Sequence, residues 1–347
     1  MNPTSLPASF SLLPKAELHV HLEGSIEAAT VCALAARHGV PMSLEEAASH
    51  YVFSDFSSFL AAFKWVTTFL RDPEDYALIA DEFFQRLRQQ CVVYAEVTLS
   101  IGVMLLRNQS PDANYEALAR AAEKAAKNGL RVQWVPDAVR QFGPEAAIHV
   151  ARFAAKYRRD GVVAFGIGGD ELSLPASAFK GTYDFVAEHG IHRLIHAGET
   201  GGPAIVREAL DHLGVERIGH GIGSMHDDSL MERLSQNSIP LELCPTSNLA
   251  TGALGRQVRR ESATLREHPL PLFVKKRVPV TLSTDDPAMF RTSLLDEYRR
   301  AAEMGMTTRE LTAIARQSFE HAFLPVREKQ RYLAEFDAQA SKLGLLY

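Results

Sequence analysis

The segment Ala16-Glu17-Leu18-His19-Val20-His21-Leu22-Glu23-Gly24 places two histidines at the end of an alternating apolar stretch, directly before a glycine turn. In a β-strand, residues i and i+2 point to the same face, so both imidazole rings could bind one metal ion. If the strand belongs to an α/β barrel, that face opens at its carboxyl end into the mouth where active sites lie. Two histidines on the wet face of an edge strand would show the same spacing. The segment alone therefore leaves both interpretations open.

Short apolar runs that end in polar residues or glycine recur along the chain, separated by longer stretches with helical periodicity. The helical spacing is seen at residues 115–128, 144–157, 203–213 and 227–236. The predicted strands are residues 16–21, 94–100, 131–137, 162–168, 193–197, 217–221, 240–244 and 278–284. Eight strands that alternate with helices predict a (β/α)8 barrel of the TIM type, an α/β fold.

Two segments extend this barrel. A helical insert, about residues 25–90, separates the first two predicted strands, and residues 307–347 are expected to form closing helices. The insert contains a cluster of apolar side chains at Phe56, Phe59, Leu60, Phe63 and Trp65. Helical spacing puts most of that cluster on one face, which predicts a helix packed on the barrel or an apolar lid over its mouth. No linker or repeat divides the chain, so we expect residues 1–347 to form one domain.

Composition points to a cytoplasmic protein that acts on a small molecule. The net charge is −5 and no Lys/Arg-rich run is present, which argues against nucleic acid as a partner. No apolar run approaches the length of a membrane span, and no signal-peptide pattern is seen at the start, so we expect no membrane association. The sequence carries no indication of oligomeric state.

Ionisable residues follow several of the predicted strands. His196 and Glu199 follow strand five, His220 lies between two glycines after strand six, and Asp285 and Asp286 follow strand eight. Singly, each could be a core histidine, a helix cap or a turn residue. Because the carboxyl ends of barrel strands meet at one mouth, the set together predicts a catalytic site.

Three of the histidines and one aspartate form a ligand set of three nitrogens and one oxygen, which suits zinc. The predicted ligands are His19, His21, His196 and Asp285. A catalytic zinc keeps an open position for water and lowers the pKa of that water. Glu199 lies outside the ligand set and could move protons, and His220 could orient hydroxide or stabilise developing charge.

Other catalytic patterns are missing from the sequence. The cysteines Cys32, Cys91 and Cys244 are widely spaced, so neither a disulfide framework nor the paired-cysteine signature of one deaminase class is present. No phosphate-binding loop and no strand-linked dinucleotide motif occurs. The glycine-rich segment at residues 166–171 is better explained by close approach of a planar ligand to the backbone.

The chain resembles the adenosine deaminase branch of the metal-dependent amidohydrolases. The motifs that carry the resemblance are His19-Val20-His21-Leu22-Glu23-Gly24, Gly169-Asp170-Glu171, His196-Ala197-Gly198-Glu199, Arg217-Ile218-Gly219-His220-Gly221, Cys244-Pro245-Thr246-Ser247-Asn248 and Ser283-Thr284-Asp285-Asp286-Pro287. They occur in the family's order, and the family fold is a (β/α)8 barrel with one zinc ion per chain. Strand four supplies no lysine to bridge two metals, which also favours a single ion.

The resemblance implies a role for each site residue. Glu199 would protonate purine N1 and make C6 electrophilic, while His220 and Asp285 would orient the attacking water. Asp286 would accept a hydrogen bond involving N7, and the Gly169 backbone N–H would contact N3. Ammonia would then leave from a tetrahedral intermediate.

The sugar end of the pocket departs from that of many adenosine deaminases. Glu23 replaces an aspartate near the ribose 5′ hydroxyl and would bind the substrate there, and Gly166 stands where another aspartate near the sugar is often found. The chain looks more like bacterial relatives that act on 6-aminodeoxyfutalosine, a nucleoside of menaquinone biosynthesis with a carboxyphenyl ketone at that end. Leu60 and Phe63 are the lid residues expected to contact this substrate. Its carboxylate would suit a cation, for which the candidates are Lys64, Arg107 and Arg140.

Alternatives remain beside this purine nucleoside. Adenosine itself is the second candidate, in purine salvage, whereas adenine deaminases usually show aspartate at the position of Gly219. A mononuclear amidohydrolase that opens a cyclic amide is a third possibility. A non-catalytic barrel is the fourth, but it would be expected to have lost a ligand or Glu199.

Overall fold

A ring of eight parallel strands forms the centre of the computed structural model, which describes residues 6–346. The strands are β1 (Lys15–His21), β2 (Val92–Leu99), β3 (Arg131–Val139), β4 (Ala164–Gly168), β5 (His192–Ala197), β6 (Arg217–His220), β7 (Leu241–Leu243) and β8 (Val280–Leu282). They pair in chain order. The ring closes just beyond β8, where the Asp285 N–H donates to the His19 carbonyl at 3.1 Å and the His21 N–H donates to the Asp285 carbonyl at 2.7 Å. The predicted barrel is confirmed; residues 1–5 and 347 of the predicted domain lie outside the described residues.

The last two strands are shorter than the sequence pattern predicted. β7 and β8 each begin directly after a proline, Pro240 and Pro279. Proline has no N–H to donate to a β-ladder. The two prolines contribute only carbonyls, which accept from Ile218 at 3.1 Å and from Leu241 at 3.0 Å.

The insert between β1 and β2 folds into several helices. They are α1 (Ala28–Arg37), α2 (Leu44–Ser49), α3 (Phe56–Val66) and α4 (Pro73–Gln89). Helix α3 carries the apolar cluster and begins after Asp55, whose carboxylate accepts from the Ser58 N–H at 2.8 Å. That cap satisfies one of the free N–H groups of the first turn and fixes where the helix starts.

The remaining helices lie around the barrel and after it. They are α5 (Ile101–Leu106), α6 (Pro111–Lys127), α7 (Gly143–Lys156), α8 (Lys180–Glu188), α9 (Pro203–His212), α10 (Asp228–Gln236), α11 (Pro245–Ala250), α12 (Ala253–Val258), α13 (Leu270–Lys275), α14 (Leu294–Glu303), α15 (Thr308–His321) and α16 (Val326–Lys342). The four helices predicted from periodicity are present as α6, α7, α9 and α10. In the predicted tail, α15 packs directly on β8 and β1, and α16 packs on α15. Within residues 6–346, no helix has the length and apolar character that a membrane crossing requires.

The barrel interior below the mouth is charged. The buried Arg217 of β6 lies with its Nη2 2.6 Å from Glu96 Oε2 of β2 and its Nε 2.6 Å from Glu242 Oε1 of β7. Its guanidinium also lies over the ring of Phe323, 3.8 Å from the centroid. These ion pairs link strands across the barrel directly beneath the histidines of β1, and removing one partner of such a buried pair typically costs about 3–5 kcal/mol.

Candidate active site

The four predicted metal ligands converge at the mouth of the barrel. His21 Nε2 lies 3.3 Å from His196 Nε2 and 3.3 Å from Asp285 Oδ1. His19 Nε2 lies 3.5 Å from the same carboxylate oxygen. β1 supplies two of these side chains because its i and i+2 positions share a face, and the ends of β5 and β8 supply the others.

The hydrogen bonds behind two of these rings leave their Nε2 atoms free to bind a cation. His19 Nδ1 lies 2.8 Å from Glu242 Oε2, and His196 Nδ1 lies 3.2 Å from the Ile167 carbonyl. Each Nδ1 must donate, so in a neutral ring the Nε2 atom carries a lone pair. Among residues 6–346 the buried His19 Nε2 has no hydrogen-bond partner. Lone pairs that face one another and a carboxylate repel unless a cation lies between them, so the donor set fits a metal ion.

Glu242 and Arg217 support the metal-ligand cluster, and neither role was predicted from the sequence. Glu242 accepts from the His19 ring with one oxygen and pairs with Arg217 through the other. A carboxylate that holds a metal-binding histidine fixes its tautomer and its orientation. The only local signal was an acidic residue between two leucines in a predicted strand.

Glu199 is buried beside the cluster, on the loop that follows β5. Glu171 holds this loop: its Oε2 accepts from the Gly198 N–H at 2.6 Å and its Oε1 from the Gly201 N–H at 2.6 Å. Burial, reinforced by the charges of Asp285 and Glu171, raises the pKa of Glu199 well above its ordinary value. A carboxyl group whose pKa is raised in this way keeps its proton to higher pH and can donate it to a base.

His220 and Asp285 lie where their strands end and both have left-handed backbones, with φ of 59° and 64°. This conformation is unfavourable for residues other than glycine and is often found at active sites. It directs His220 Nε2 to a point 3.8 Å from Asp285 Oδ2 and 3.8 Å from Glu199 Oε2. Asp285 Oδ2 also accepts from the Ser247 hydroxyl at 2.6 Å. The three side chains thus surround one small reaction space.

Asp286 lies against Gly24 of the first motif. A Cβ atom added at Gly24 would come within 1.8 Å of Asp286 Oδ1, so only glycine fits there. Burial and the neighbouring Asp285 raise the pKa of Asp286 well above its ordinary value. The glycine after the two-histidine motif therefore makes room for the second aspartate of the strand-eight motif.

A pocket of about 490 Å³ extends from this cluster to helix α3. Leu60 and Phe63 line it, and the Phe63 ring lies over His21 with the ring centroids 6.4 Å apart. Phe59 also lines the pocket and packs on Phe290, with centroids 5.0 Å apart. Helix α3 therefore packs on the barrel and covers the mouth at once, which combines the two interpretations that the sequence left open.

Comparisons with known proteins agree with this geometry. The family model described as adenosine deaminase matches residues 14–339. The chain is 40% identical over 342 residues to an aminodeoxyfutalosine deaminase of Streptomyces coelicolor, which covers 96% of this chain and 86% of that protein. It is 37% identical over 322 residues to an adenine deaminase of Chelativorans sp., covering 92% and 96% respectively.

The chain belongs to the adenosine deaminase family. The solved structure of an adenine deaminase from Arthrobacter aurescens is similar in fold, with a TM-score of 0.88 at 27% identity, and covers 95% of this chain and 99% of that one. The chain is a hydrolytic deaminase of the adenine type with a His/Asp group that could bind a metal. The predicted family, fold and enzyme class are confirmed.

Gly169 and Glu23 were both predicted to contact the substrate, but only Gly169 lies at the pocket surface. Gly169 lines the pocket and has a φ of 91°, which favours glycine. Glu23 is buried behind the wall: its Oε1 accepts from the Ser100 N–H at 3.0 Å, and Ser100 forms the pocket surface. Burial raises the pKa of Glu23 to about 7. The direct sugar contact suggested for Glu23 stays a prediction.

The three candidate cations differ sharply in their environment. Arg140 is buried and donates to the carbonyls of His196 at 2.7 Å and Glu171 at 3.3 Å, so its charge is directed into the protein and away from the substrate. The Arg107 guanidinium donates to the carbonyls of Thr67 and Lys64 at the end of α3. Lys64 itself is exposed where α3 lines the pocket. Of the three side chains, Lys64 is the most exposed at the pocket.

Asp137, near the end of β3, is a pocket residue that was not predicted from the sequence. It is buried, lines the pocket, and its Oδ1 has no hydrogen-bond partner among residues 6–346. Cβ atoms added at Gly166 and Gly168 would lie 3.0 Å from its two oxygens. The space left by the glycines of β4 is thus filled by a carboxyl group from the neighbouring strand.

Proposed function

We propose that this deaminase uses one zinc ion to replace the 6-amino group of aminodeoxyfutalosine with oxygen and to release ammonia. The observation that carries the choice of substrate is the wall of α3, where the apolar Phe63 and Leu60 and the exposed Lys64 line the same pocket as the reaction space. A nucleoside with a carboxyphenyl group beyond its sugar would match this combination of apolar surface and positive charge. The 40% identical relative named as an aminodeoxyfutalosine deaminase supports the same choice.

The proposed zinc ligands are His19, His21, His196 and Asp285. Three imidazole nitrogens and one carboxylate oxygen are a donor set typical of zinc, whereas magnesium and calcium prefer all-oxygen shells. When bound, zinc supplies Lewis acidity that makes water a competent nucleophile near neutral pH.

The protein's own residues would perform the proton transfers. Protonated Glu199 donates its proton to purine N1, which draws electrons from C6 and opens that carbon to attack by water. The resulting Glu199 carboxylate can then accept a proton released by the attacking water and pass it to the departing amino group, which leaves as ammonia. The remaining proton of that water would return to Glu199 as the C6 carbonyl forms. His220 and Asp285 would orient the water toward C6, since His220 Nε2 and Asp285 Oδ2 lie 3.8 Å apart at the reaction space. Such positioned acid–base groups typically contribute about 10²–10⁴ in rate.

Asp286 and Gly169 would orient the purine ring so that C6 faces the reaction space. Purine N7 carries a lone pair, so Asp286 would donate to it as a protonated carboxyl group and not accept from it, and burial beside Asp285 favours that form by raising its pKa. We also propose a cytoplasmic location for the protein, which rests on the sequence alone.

Ammonia release by the zinc-loaded protein tests the proposal, with aminodeoxyfutalosine, adenosine and adenine compared by kcat/KM. We expect a clear preference for aminodeoxyfutalosine. A preference for adenosine or adenine would overturn the substrate assignment and leave the deaminase assignment intact. Glu199→Gln is the matched control, because it keeps the size and zinc content of the site but should lose turnover with every substrate.

A further inference from the structure

A chain of hydrogen bonds runs from a backbone amide to His220. The Leu270 N–H donates to His268 Nδ1 at 3.2 Å, and His268 Nε2 lies 3.2 Å from Asn248 Oδ1. Asn248 Nδ2 in turn lies 3.1 Å from His220 Nδ1. All three side chains are buried, with exposed fractions of 3%, 0% and 1% for His268, Asn248 and His220. Neither His268 nor Asn248 touches the reaction space itself.

The backbone N–H of Leu270 determines the direction of these hydrogen bonds. A backbone N–H can only donate, so His268 Nδ1 must accept. Burial lowers the pKa of His268 to about 3, so the ring is neutral near pH 7 and carries its single proton on Nε2. That proton donates to Asn248 Oδ1, which turns the amide N–H₂ toward His220. His220 Nδ1 therefore accepts, and the ring proton of a neutral His220 lies on Nε2.

We infer that His268 and Asn248 are positioning residues that hold His220 in the Nε2–H tautomer and so make it a hydrogen-bond donor in the reaction space. The Nε2–H group is directed between Asp285 Oδ2 and Glu199 Oε2, where an attacking water or the oxygen that develops on C6 would lie. A donor fixed in this way stabilises negative charge without having to reorganise during the reaction.

The Nε2–H tautomer also determines whether His220 can bind a metal ion. His220 offers a ring nitrogen within 4.8 Å of ligand atoms of His19, His196 and Asp285, so distance alone would allow it to join the metal ligands. A protonated ring nitrogen has no lone pair to give. The hydrogen bond from Asn248 thus keeps His220 out of the ligand set and reserves it for the substrate.

Asn248→Asp tests the inference because it changes the hydrogen-bonding pattern with almost no change of shape. The introduced carboxylate accepts from His268 Nε2–H and, having no N–H, must also accept from His220 Nδ1. His220 would then switch to the Nδ1–H tautomer and present a lone pair to the metal. We expect kcat to fall at least about 100-fold, as for removal of one oxyanion donor, with KM changed much less.

The direct measurement is ¹⁵N NMR of the full-length zinc-loaded enzyme with labelled histidines, in which His220→Gln identifies the signals of His220. The wild type should show a protonated Nε2 and a bare Nδ1, and Asn248→Asp should show the reverse. A wild-type ring protonated on Nδ1 would overturn the inference, and so would a large loss of kcat in Asn248→Asp with the Nε2–H signal retained.

His268→Gln is the conservative control. A glutamine amide can accept from the Leu270 N–H through its oxygen and donate to Asn248 Oδ1 through its nitrogen, so the direction of the chain is kept. We expect it to retain the Nε2–H signal and most of kcat, and a reversed His220 tautomer in this variant would contradict the inference. The kinetic measurement rests on the proposed function, whereas the NMR signals do not, so a wrong substrate and a wrong tautomer can be told apart.

Discussion

Asp137 offers a test of how a single residue shapes the pocket beside the glycines of β4. Its carboxyl lies near the end of β3, three strands away from His220, and its buried Oδ1 has no partner among residues 6–346. Burial raises its pKa to about 8, so near neutral pH it can donate to a hydroxyl as well as accept from one. We expect Asp137→Ala to raise KM for nucleosides about tenfold, the cost of one buried hydrogen bond, with a smaller change in kcat.

Steady-state kinetics with a nucleoside and with free adenine provide the measurement. Adenine has no sugar, so any activity on it should be spared in Asp137→Ala. Asp160→Ala is a suitable control, because that carboxyl is exposed before β4, at the other end of the barrel. A loss of kcat with unchanged KM would show that Asp137 supports the metal ligands instead of the sugar.

The residues that could be predicted from the sequence are those with a local pattern. The i, i+2 spacing of His19 and His21, and the position of Asp285 after an apolar run, predicted that these side chains share one cluster, and they do. Asp137 and Glu242 have no such pattern, since each is one acid in an apolar strand. Glu242 meets His19 across 223 residues of sequence, a relation that only the closed barrel creates.

At the scale of elements, periodicity predicted helices but not what they face. The spacing of Phe59 and Phe63 predicted one apolar side of α3, and that side meets both Phe290, in the turn after β8, and the pocket. A helical pattern records that a face avoids water and says nothing about which surface covers it. For the same reason α15 could be predicted as a helix, while its position directly on β8 and β1 follows from the closed ring.

Helix α3 also carries the charge expected to select the substrate. If Lys64 pairs with the carboxylate of aminodeoxyfutalosine, Lys64→Ala should raise KM for that substrate severalfold and leave adenosine unchanged. The effect should be small and should shrink at high salt, because exposed ion pairs contribute about 0–1 kcal/mol and are screened. Parallel KM measurements at two ionic strengths check this prediction.

A matched control for this charge is Lys124→Ala, which removes an exposed ammonium that pairs with Asp81 at 2.7 Å. It should change neither substrate's KM. If Lys64→Ala affected adenosine and aminodeoxyfutalosine equally, Lys64 would act on the lid as a whole and not on a substrate carboxylate.

For the whole molecule, alternation of apolar residues predicted eight strands but not the charged interior that they enclose. Arg217 joins β2, β6 and β7 through Glu96 and Glu242, and Glu242 continues this connection to His19. Such a network forms only when strands distant in sequence close into a ring, so no local sequence pattern predicts it. The single domain predicted for residues 1–347 stays a prediction.

Arg217 and Glu242 connect the barrel strands to the proposed ligands, so removal of the metal should lower the stability of the whole fold. The proposed ligands come from β1, β5 and the residue that closes the ring after β8, so a bound ion would hold together strands that are far apart in sequence. A ligand that binds only the folded state stabilises it by about 2.7 kcal/mol at a concentration about 100-fold above its Kd. We expect removal of the metal by a chelator to lower Tm by several degrees, and added zinc to restore it, as followed by calorimetry.

Two histidine variants separate this effect from general sensitivity to chelators. His196→Ala removes a ligand, so its Tm should no longer respond to chelator or to zinc. His189→Gln changes an exposed histidine that hydrogen-bonds the Phe185 carbonyl of the preceding helix, and it should keep the full response. A wild-type Tm that did not respond to zinc would contradict the proposed metal site.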